Sequence, residues 1–355
     1  MPEQIRVAVN GYGVIGKRVA DAVRLQSDME LVGVSDRRPD YRIESGVVRG
    51  LPLFVSDAEL IEDFRSAGIE PAGTLDDLLA QADVVVDCTP KGVPAANLPR
   101  YRAAGVKVIV QGGEAHAFAG HSFVAQANYA EALGREMTRV VSCNTTSVVR
   151  TLGALREAGL LARARGVLIR RATDPWESHE SGIMDTLVPE RHIPSHQGPD
   201  AKDVLPDLDV VTMAVKAAHT HGHLHYWFVE MTREATRDEV VEAFRRTPRI
   251  AFVRESDGIV ALNSTQELMR DLGRPRGDMW EVALWEDILS VSGRELYYTY
   301  EVDNEAIVVP ENIDAIRALM GTVTDAETSM RMTDESLGMA REFLRPLAER
   351  QVTRA

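Results

Sequence analysis

Two domains of α/β character are predicted from this sequence, and three observations carry the prediction. The chain has 355 residues, more than one ordinary hydrophobic core accommodates. Its first part alternates short β-branched runs with stretches of helical spacing, the pattern of a parallel sheet wound with helices. Its second part replaces that alternation with longer β-rich segments, the pattern of an α+β domain with a mostly antiparallel sheet. The expected organisation is a first domain over 1–142, a second over 143–303, and C-terminal helices over 304–355 that pack back on the first.

In the first domain, Ile5-Arg6-Val7-Ala8-Val9 is a strand that runs into Asn10-Gly11-Tyr12-Gly13-Val14-Ile15-Gly16, and Lys17 to Leu25 has helical spacing. The G-x-G-x-x-G of Gly11, Gly13 and Gly16 thus lies between a strand and a helix, the context in which it binds a dinucleotide. Gly11 permits the tight turn, Gly13 lets backbone approach the pyrophosphate, and Gly16 lets helix and strand pack closely. The pyrophosphate is stabilised by the dipole and free N–H groups of the helix start. A second strand, Glu30 to Ser35, ends at Asp36, about 20 residues past the last glycine, where an acid meets the ribose. Together these features predict a Rossmann dinucleotide-binding domain.

The alternation continues through helices at Asp57–Ala67 and Leu75–Ala80, a buried strand at Asp83–Asp87, a helix at Asn97–Ala104 and a strand at Val106–Val110. Loops at Thr89-Pro90 and Gln111-Gly112-Gly113 fall along the carboxyl edge of the sheet, where ligands bind. Cys88 flanks an apolar strand with no base or cation near it in sequence, so it reads as core.

Ser142-Cys143-Asn144-Thr145-Thr146 is the stretch richest in chemistry. It follows the apolar run Arg139-Val140-Val141 and precedes Ser147 to Leu155, which has helical spacing. Ser, Asn and Thr start helices, so Cys143 is expected in a first turn, where free N–H groups ease loss of the thiol proton. The β-rich segments that follow are Ala164–Ala172, Asp209–Ala217, Leu224–Met231, Arg249–Val253 and Leu296–Val302, interrupted by helices at Arg237–Arg246 and Ser264–Leu272. Helices are expected again at Glu311–Met320 and roughly Glu335–Glu349.

Bulk properties narrow the class. Hydrophobic residues make up 45% and charged residues 26%, as in a water-soluble globular protein. No apolar run approaches the roughly 20 residues that span a bilayer, and no signal-peptide layout is expected. Only 2 cysteines argue against a disulfide framework and for a cytoplasmic setting. A net charge of −14 argues against nucleic acid or an anionic membrane as partner.

These residues resemble the archaeal-type (type II) phosphorylating glyceraldehyde-3-phosphate dehydrogenases along nearly the whole chain. The matching motifs are V-N-G-Y-G-V-I-G-K-R-V-A-D-A-V from Val9, D-C-T-P from Asp87, Q-G-G-E from Gln111 and R-V-V-S-C-N-T-T from Arg139. They continue with R-R-A-T-D-P from Arg170, S-H-Q-G-P-D from Ser195 and V-P-E-N-I-D-A-I-R-A from Val309. The resemblance implies Cys143 as nucleophile and His223 as general base. It implies contacts to NAD or NADP from Gly11, Gly13, Val14, Ile15, Gly16, Asp36, Arg37, Thr89, Gly112, Gly113 and Arg171, with Asn304 against the nicotinamide carboxamide. Ser142, Asn144, Thr145, Arg170, His196, Gln197 and Gly198 are implied to meet the aldehyde and inorganic phosphate. The chain is then expected to oxidise glyceraldehyde 3-phosphate to 1,3-bisphosphoglycerate, reversibly, through a thiohemiacetal and a thioester on Cys143, as a homotetramer. Asp36 favours NAD slightly, because a carboxylate repels a 2′-phosphate, while Arg37 and Arg38 can pair with one.

Two stretches depart from the family. Its G-P-I-N segment reads Ser181-Gly182-Ile183-Met184, and its V-P-T-T-L-M-H run reads Ala217-Ala218-His219-Thr220-His221-Gly222-His223. They leave open a related dehydrogenase for another small phosphorylated aldehyde, and beyond it a silent dinucleotide-binding regulator. His219, His221, His223 and His225 would share one face of an extended strand, where imidazoles can hold a transition metal. Gly222 interrupts that run, and no metal is expected.

Overall fold

The computed structural model describes residues 4–173 and 187–344. The chain divides into two compact units, one running to Ser142 and resuming over Val308–Leu337, the other comprising Cys143–Ile307 and the chain from Gly338 onward.

The first unit is built on β1 (Ile5–Asn10), β2 (Met29–Asp36), β3 (Leu53–Val55), β4 (Gly73–Thr74), β5 (Val84–Asp87), β6 (Lys107–Gln111), β7 (Ser122–Phe123) and β8 (Met137–Val140). They form one sheet in the order β4-β3-β2-β1-β5-β6-β8-β7, and every pairing is parallel. A parallel sheet covered on both faces needs apolar side chains pointing both ways, and the four residues of β5 are all buried. One side of its core gathers Ala8, Phe54, Leu75, Leu78, Val85, Tyr101 and Val108. The strand order reverses between β1 and β5, whose carboxyl ends carry Asn10 and Asp87. That switch point is where such sheets bind ligands.

The helix Val309–Met320 belongs to this unit, and its buried Arg317 fixes it there. The guanidinium donates to both carboxylate oxygens of Asp28 (2.8 and 2.9 Å), to Gln26 Oε1 at 2.8 Å and to Thr333 Oγ1 at 2.7 Å. Glu311 accepts from the Ala125 N–H at 2.7 Å. The last described helix is Ala326–Leu337, not one beginning near Glu335. It closes at Gly338, whose φ of +66° suits the left-handed end of a helix. Of the expected 304–355 segment, Val308–Leu337 is grouped with the first unit, and the described residues 338–344 with the second.

The second unit holds β9 (Leu161–Arg171), β10 (Val188–Pro189), β11 (Val210–Ala217), β12 (His223–Met231), β13 (Ile250–Val253), β14 (Val282–Trp285), β15 (Ser290–Ser292) and β16 (Glu295–Val302). The order is β10-β11-β9-β12-β16-β14-β13, with β15 beside β16. The pairs β9/β11 and β13/β14 are parallel and the others antiparallel. Burial alternates along β12, so His223, His225, Trp227, Val229 and Met231 face inward while Tyr226 and Phe228 face outward. Gly166 lies opposite Trp227, and a Cβ there would meet the indole at 2.7 Å, so only glycine seats that ring. Phe244 of the helix Arg237–Arg246 packs on the Tyr298 ring at 5.1 Å, covering the inner face.

Candidate active site

The glycine-rich turn fits a dinucleotide. Gly11 has a φ of +92°, a conformation glycine adopts at least cost, and a Cβ on Gly16 would lie 1.8 Å from the Gly11 carbonyl oxygen. A Cβ on Gly13 would meet nothing within 4 Å, so the turn faces open space at the start of the helix Val14–Arg24. Val14 and Ile15 supply first-turn N–H groups there, the donors that suit a pyrophosphate.

Asp36 closes this turn from β2. Its Oδ2 accepts from the Tyr12 N–H at 2.8 Å, and its Oδ1 from the N–H groups of Arg37 (2.7 Å) and Arg38 (3.3 Å). The side chains of Arg37 and Arg38 are exposed. Thr89 is held by Asp87, which accepts its N–H at 2.9 Å and its hydroxyl at 2.5 Å. Gly112 approaches the chain where a side chain could not, since a Cβ would lie 2.3 Å from Ser142 N. Gly113 is looser, with Lys91 at 3.7 Å.

In the second unit, Cys143 is the first residue of the helix Cys143–Glu157. Its Sγ lies 3.3 Å from Nε2 of His223, the first residue of β12. The Asn144 amide Nδ2 donates toward the same sulfur at 3.8 Å. Burial pushes the thiol above its ordinary value, while the Arg171 charge, the Asn144 N–H and the Arg170 charge pull it down. The helix-start N–H of Asn144 thus acts in the expected direction, and burial acts against it. Cys88 is pushed further up by burial and by Asp87, with no cation opposing it.

His223 is buried, and burial holds its imidazole well below the ordinary value, with His225, Arg171 and Arg170 acting in the same direction. The ring is therefore neutral. The Arg171 main-chain N–H donates to Nδ1 at 3.1 Å, so the one ring proton sits on Nε2, facing sulfur. That polarity makes the resting ring a donor. A base at Nε2 requires the other tautomer and loss of the Arg171 bond.

Arg170 does not stand open to an anion. It pairs with Glu190 at 3.0 Å, and the other Glu190 oxygen meets His196 Nδ1 at 3.2 Å. His196 Nε2 lies 3.2 Å from the Gln197 amide nitrogen. Gln197 is buried, and its Oε1 has no hydrogen-bond partner among the described residues. Gly198 donates its N–H to Thr212 at 3.0 Å, and Thr145 donates its hydroxyl to Asp200 at 3.3 Å. Asn304 accepts the Gly222 N–H at 2.8 Å through Oδ1, while its buried Nδ2 has no partner among the described residues. That free donor suits a carboxamide oxygen.

The histidine run does not share a face. His219 turns its Nε2 to the Gly222 carbonyl at 3.2 Å, and His221 meets Thr220 at 3.1 Å, both before β12 begins. Only His223 and His225 point inward from the strand. The altered segment Ser181–Met184 lies outside the described residues. Sequence does not single out Glu190 or Asp200 as site residues, nor His225 outside the histidine run, nor Tyr300. The inward alternation of β12 and β16 is the signal that points to the last two.

A Rossmann-type unit in one chain with a unit that buries a thiol–imidazole pair defines the class, an NAD(P)-dependent oxidoreductase. Residues 142–277 match the family described as "Glyceraldehyde 3-phosphate dehydrogenase, C-terminal domain", and residues 5–113 match "Dihydrodipicolinate reductase, N-terminus". The chain is 46% identical to a glyceraldehyde-3-phosphate dehydrogenase of Hyperthermus butylicus over 337 residues, which is 95% of this chain and 98% of the relative. It is 47% identical to one from Methanopyrus kandleri over 343 residues, 94% of this chain and 97% of the relative. A third, from Methanothermus fervidus, is 41% identical over 333 residues, 94% and 98% of the two chains. The chain belongs to the glyceraldehyde-3-phosphate dehydrogenase family.

Proposed function

We propose that this chain catalyses the reversible, NAD(P)-dependent oxidation of glyceraldehyde 3-phosphate with inorganic phosphate to 1,3-bisphosphoglycerate, the step shared by glycolysis and gluconeogenesis. The observation that carries the reading is the 3.3 Å contact of Cys143 Sγ with His223 Nε2, beside the charges of Arg170 and Arg171.

Once the Cys143 thiol has given its proton to solvent, the thiolate adds to the aldehyde carbon, and the carbonyl π electrons move to oxygen. His223 donates a hydrogen bond from Nε2 to that oxygen in the adduct, which keeps its negative charge while the proton stays on the ring. When the oxygen electrons re-form the double bond, the carbon gives up hydride, and bound nicotinamide supplies the chemistry that accepts it. The thioester left on Cys143 is attacked by a phosphate oxygen, the C–S bond breaks, and the acyl phosphate departs with the thiolate restored. Arg171 steadies the charges on sulfur and phosphate. Arg170, Ser142, Asn144, Thr145, His196, Gln197 and Gly198 line the substrate side, with Arg170 exchanging Glu190 for phosphate.

The unit ending at Ser142 serves as the dinucleotide domain, through Gly11, Gly13, Val14, Ile15, Gly16, Asp36, Arg37, Thr89, Gly112 and Gly113. Arg171 and Asn304 supply contacts from the catalytic domain. Asp36 tips the preference slightly toward NAD. The working form is a homotetramer in the cytoplasm. The outward strip of Val167, Met213, Tyr226, Phe228 and Tyr297 on adjacent strands supports association with a second copy. Among the described residues no helix is long and apolar enough to cross a membrane.

The test is absorbance of the reduced nicotinamide on adding substrate, with and without phosphate. No signal with either cofactor would refute the reading. Buried Gln197, at a position where the family motif has His, favours one alternative, a paralogue acting on another small phosphorylated aldehyde. A panel of such aldehydes distinguishes the two by kcat/KM.

A further inference from the structure

Asn144 is held from behind by a buried polar chain that none of the proposed chemistry uses. His225 is fully buried on β12, and burial, aided by Arg170, pushes its imidazole down to about 3. Its Nε2 lies 2.8 Å from Asn144 Oδ1, and its Nδ1 lies 2.8 Å from the Tyr300 hydroxyl. Ser147 Oγ lies 3.1 Å from that hydroxyl and donates to the Asn144 carbonyl at 2.8 Å. The Tyr300 ring packs against His225 at 4.7 Å, so the imidazole is fixed in position as well as in polarity.

An amide oxygen only accepts, so the neutral His225 ring carries its proton on Nε2 and accepts from Tyr300 at Nδ1. With Oδ1 so engaged, the other end of the Asn144 amide is turned to Cys143, its Nδ2 lying 3.8 Å from Sγ. Were the ring proton on Nδ1, the amide would turn over and present an oxygen to the sulfur. An acceptor there stabilises the thiol, whereas a donor stabilises the thiolate.

We propose that His225 is a positioning residue: with Tyr300 it fixes the Asn144 amide so that its N–H faces the Cys143 sulfur and steadies the thiolate. The inference rests on the reading of Cys143 as the nucleophile. It assigns His225 no contact with substrate and no proton transfer. Its effect reaches the reaction only through the orientation of Asn144.

The experiment measures alkylation of Cys143 by iodoacetamide against pH, together with kcat and KM, in the full-length enzyme. In His225→Leu the amide loses its anchor. The alkylation midpoint then rises by about half a unit, and kcat falls about tenfold with KM nearly unchanged. His225→Gln, whose amide still donates to Oδ1, recovers most of both. Tyr300→Phe shifts both in the same direction by less. A His225→Leu enzyme that melts earlier but keeps the wild-type midpoint and kcat overturns the inference, because that is the signature of a purely structural role. If His225→Leu does not fold, Tyr300→Phe decides alone, and an unchanged midpoint there overturns it. Turnover retained by Cys143→Ser would instead remove the nucleophile reading.

Discussion

The Arg171 main-chain N–H donates to Nδ1 of His223 at 3.1 Å, and this bond fixes which face of the imidazole meets Cys143. Because Arg171 ends β9 and His223 begins β12, the geometry is set by strand ends and not by flexible side chains. A backbone donor is removed by no substitution short of proline, so the resting ring is held with Nε2 as its donor.

His223→Ala should lower turnover by about two to four orders of magnitude, whether the ring donates or accepts. His223→Gln separates those roles, since its amide donates but does not take up a proton at neutral pH. The donor reading expects Gln to retain clearly more activity than Ala in pre-steady-state hydride transfer. Equal loss in both variants would restore the base role. If His221→Ala or His219→Ala gave the large loss instead, the assignment of His223 would be wrong.

Cys143 should be alkylated stoichiometrically well before Cys88, with loss of turnover in step. Both thiols are pushed up by burial, but only Cys143 has Arg171 and Arg170 acting against it. Labelling should quicken as pH rises, because the thiolate is the reactive form. Mass spectrometry of the partly labelled protein reads the order, and equal labelling of Cys88 would contradict this account.

Much of this site is legible in the sequence. The strand–glycine–helix order around Gly11, Gly13 and Gly16 is local, and steric demands on those glycines are written in sequence. The register His223/His225 follows from a period of two once β12 is recognised. What sequence hides is long-range. The Glu190–Arg170 pair brings together residues from different strands and loops, as does the Tyr300–His225–Asn144 chain. Thiol acidity is only half legible for a related reason: helix-start N–H groups are visible in sequence, whereas the desolvation opposing them depends on the packed surroundings. The stretch 335–349 has helical composition, yet among the described residues the helix Ala326–Leu337 ends at Gly338, and 345–349 lie outside them.

A slight preference for NAD is the outcome expected from Asp36. Three backbone N–H groups hold its carboxylate at the end of β2, while Arg37 and Arg38 extend into solvent. A carboxylate so fixed meets ribose hydroxyls well and opposes a 2′-phosphate, and the exposed arginines partly offset that opposition. Measured kcat/KM for NAD and NADP should differ by less than about tenfold, some 1.4 kcal/mol, in favour of NAD. Arg37→Ala should weaken NADP more than NAD. An NADP preference beyond about a hundredfold would mean that the arginines govern the site.

Glu301 offers a stability test that needs no turnover. It lies on β16, buried, and burial raises its carboxyl from the ordinary 4.5 to about 8, with Asp303 adding to the shift and Thr265 opposing it. Its Oε2 has no hydrogen-bond partner among the described residues. A raised folded value means that the native state keeps the proton after the unfolded chain has lost it. The contribution to stability is therefore full below 4.5, falls as pH rises, and is exhausted as the pH passes about 8. Glu301→Gln removes the titration while keeping the shape. It should leave stability near pH 5 little changed and raise it at pH 8 by about 1–3 kcal/mol, flattening that part of the profile. Urea unfolding at the two pH values measures the difference. A variant no more stable than the parent at pH 8 would show that Glu301 ionises in the folded protein without cost, through a partner beyond those described here.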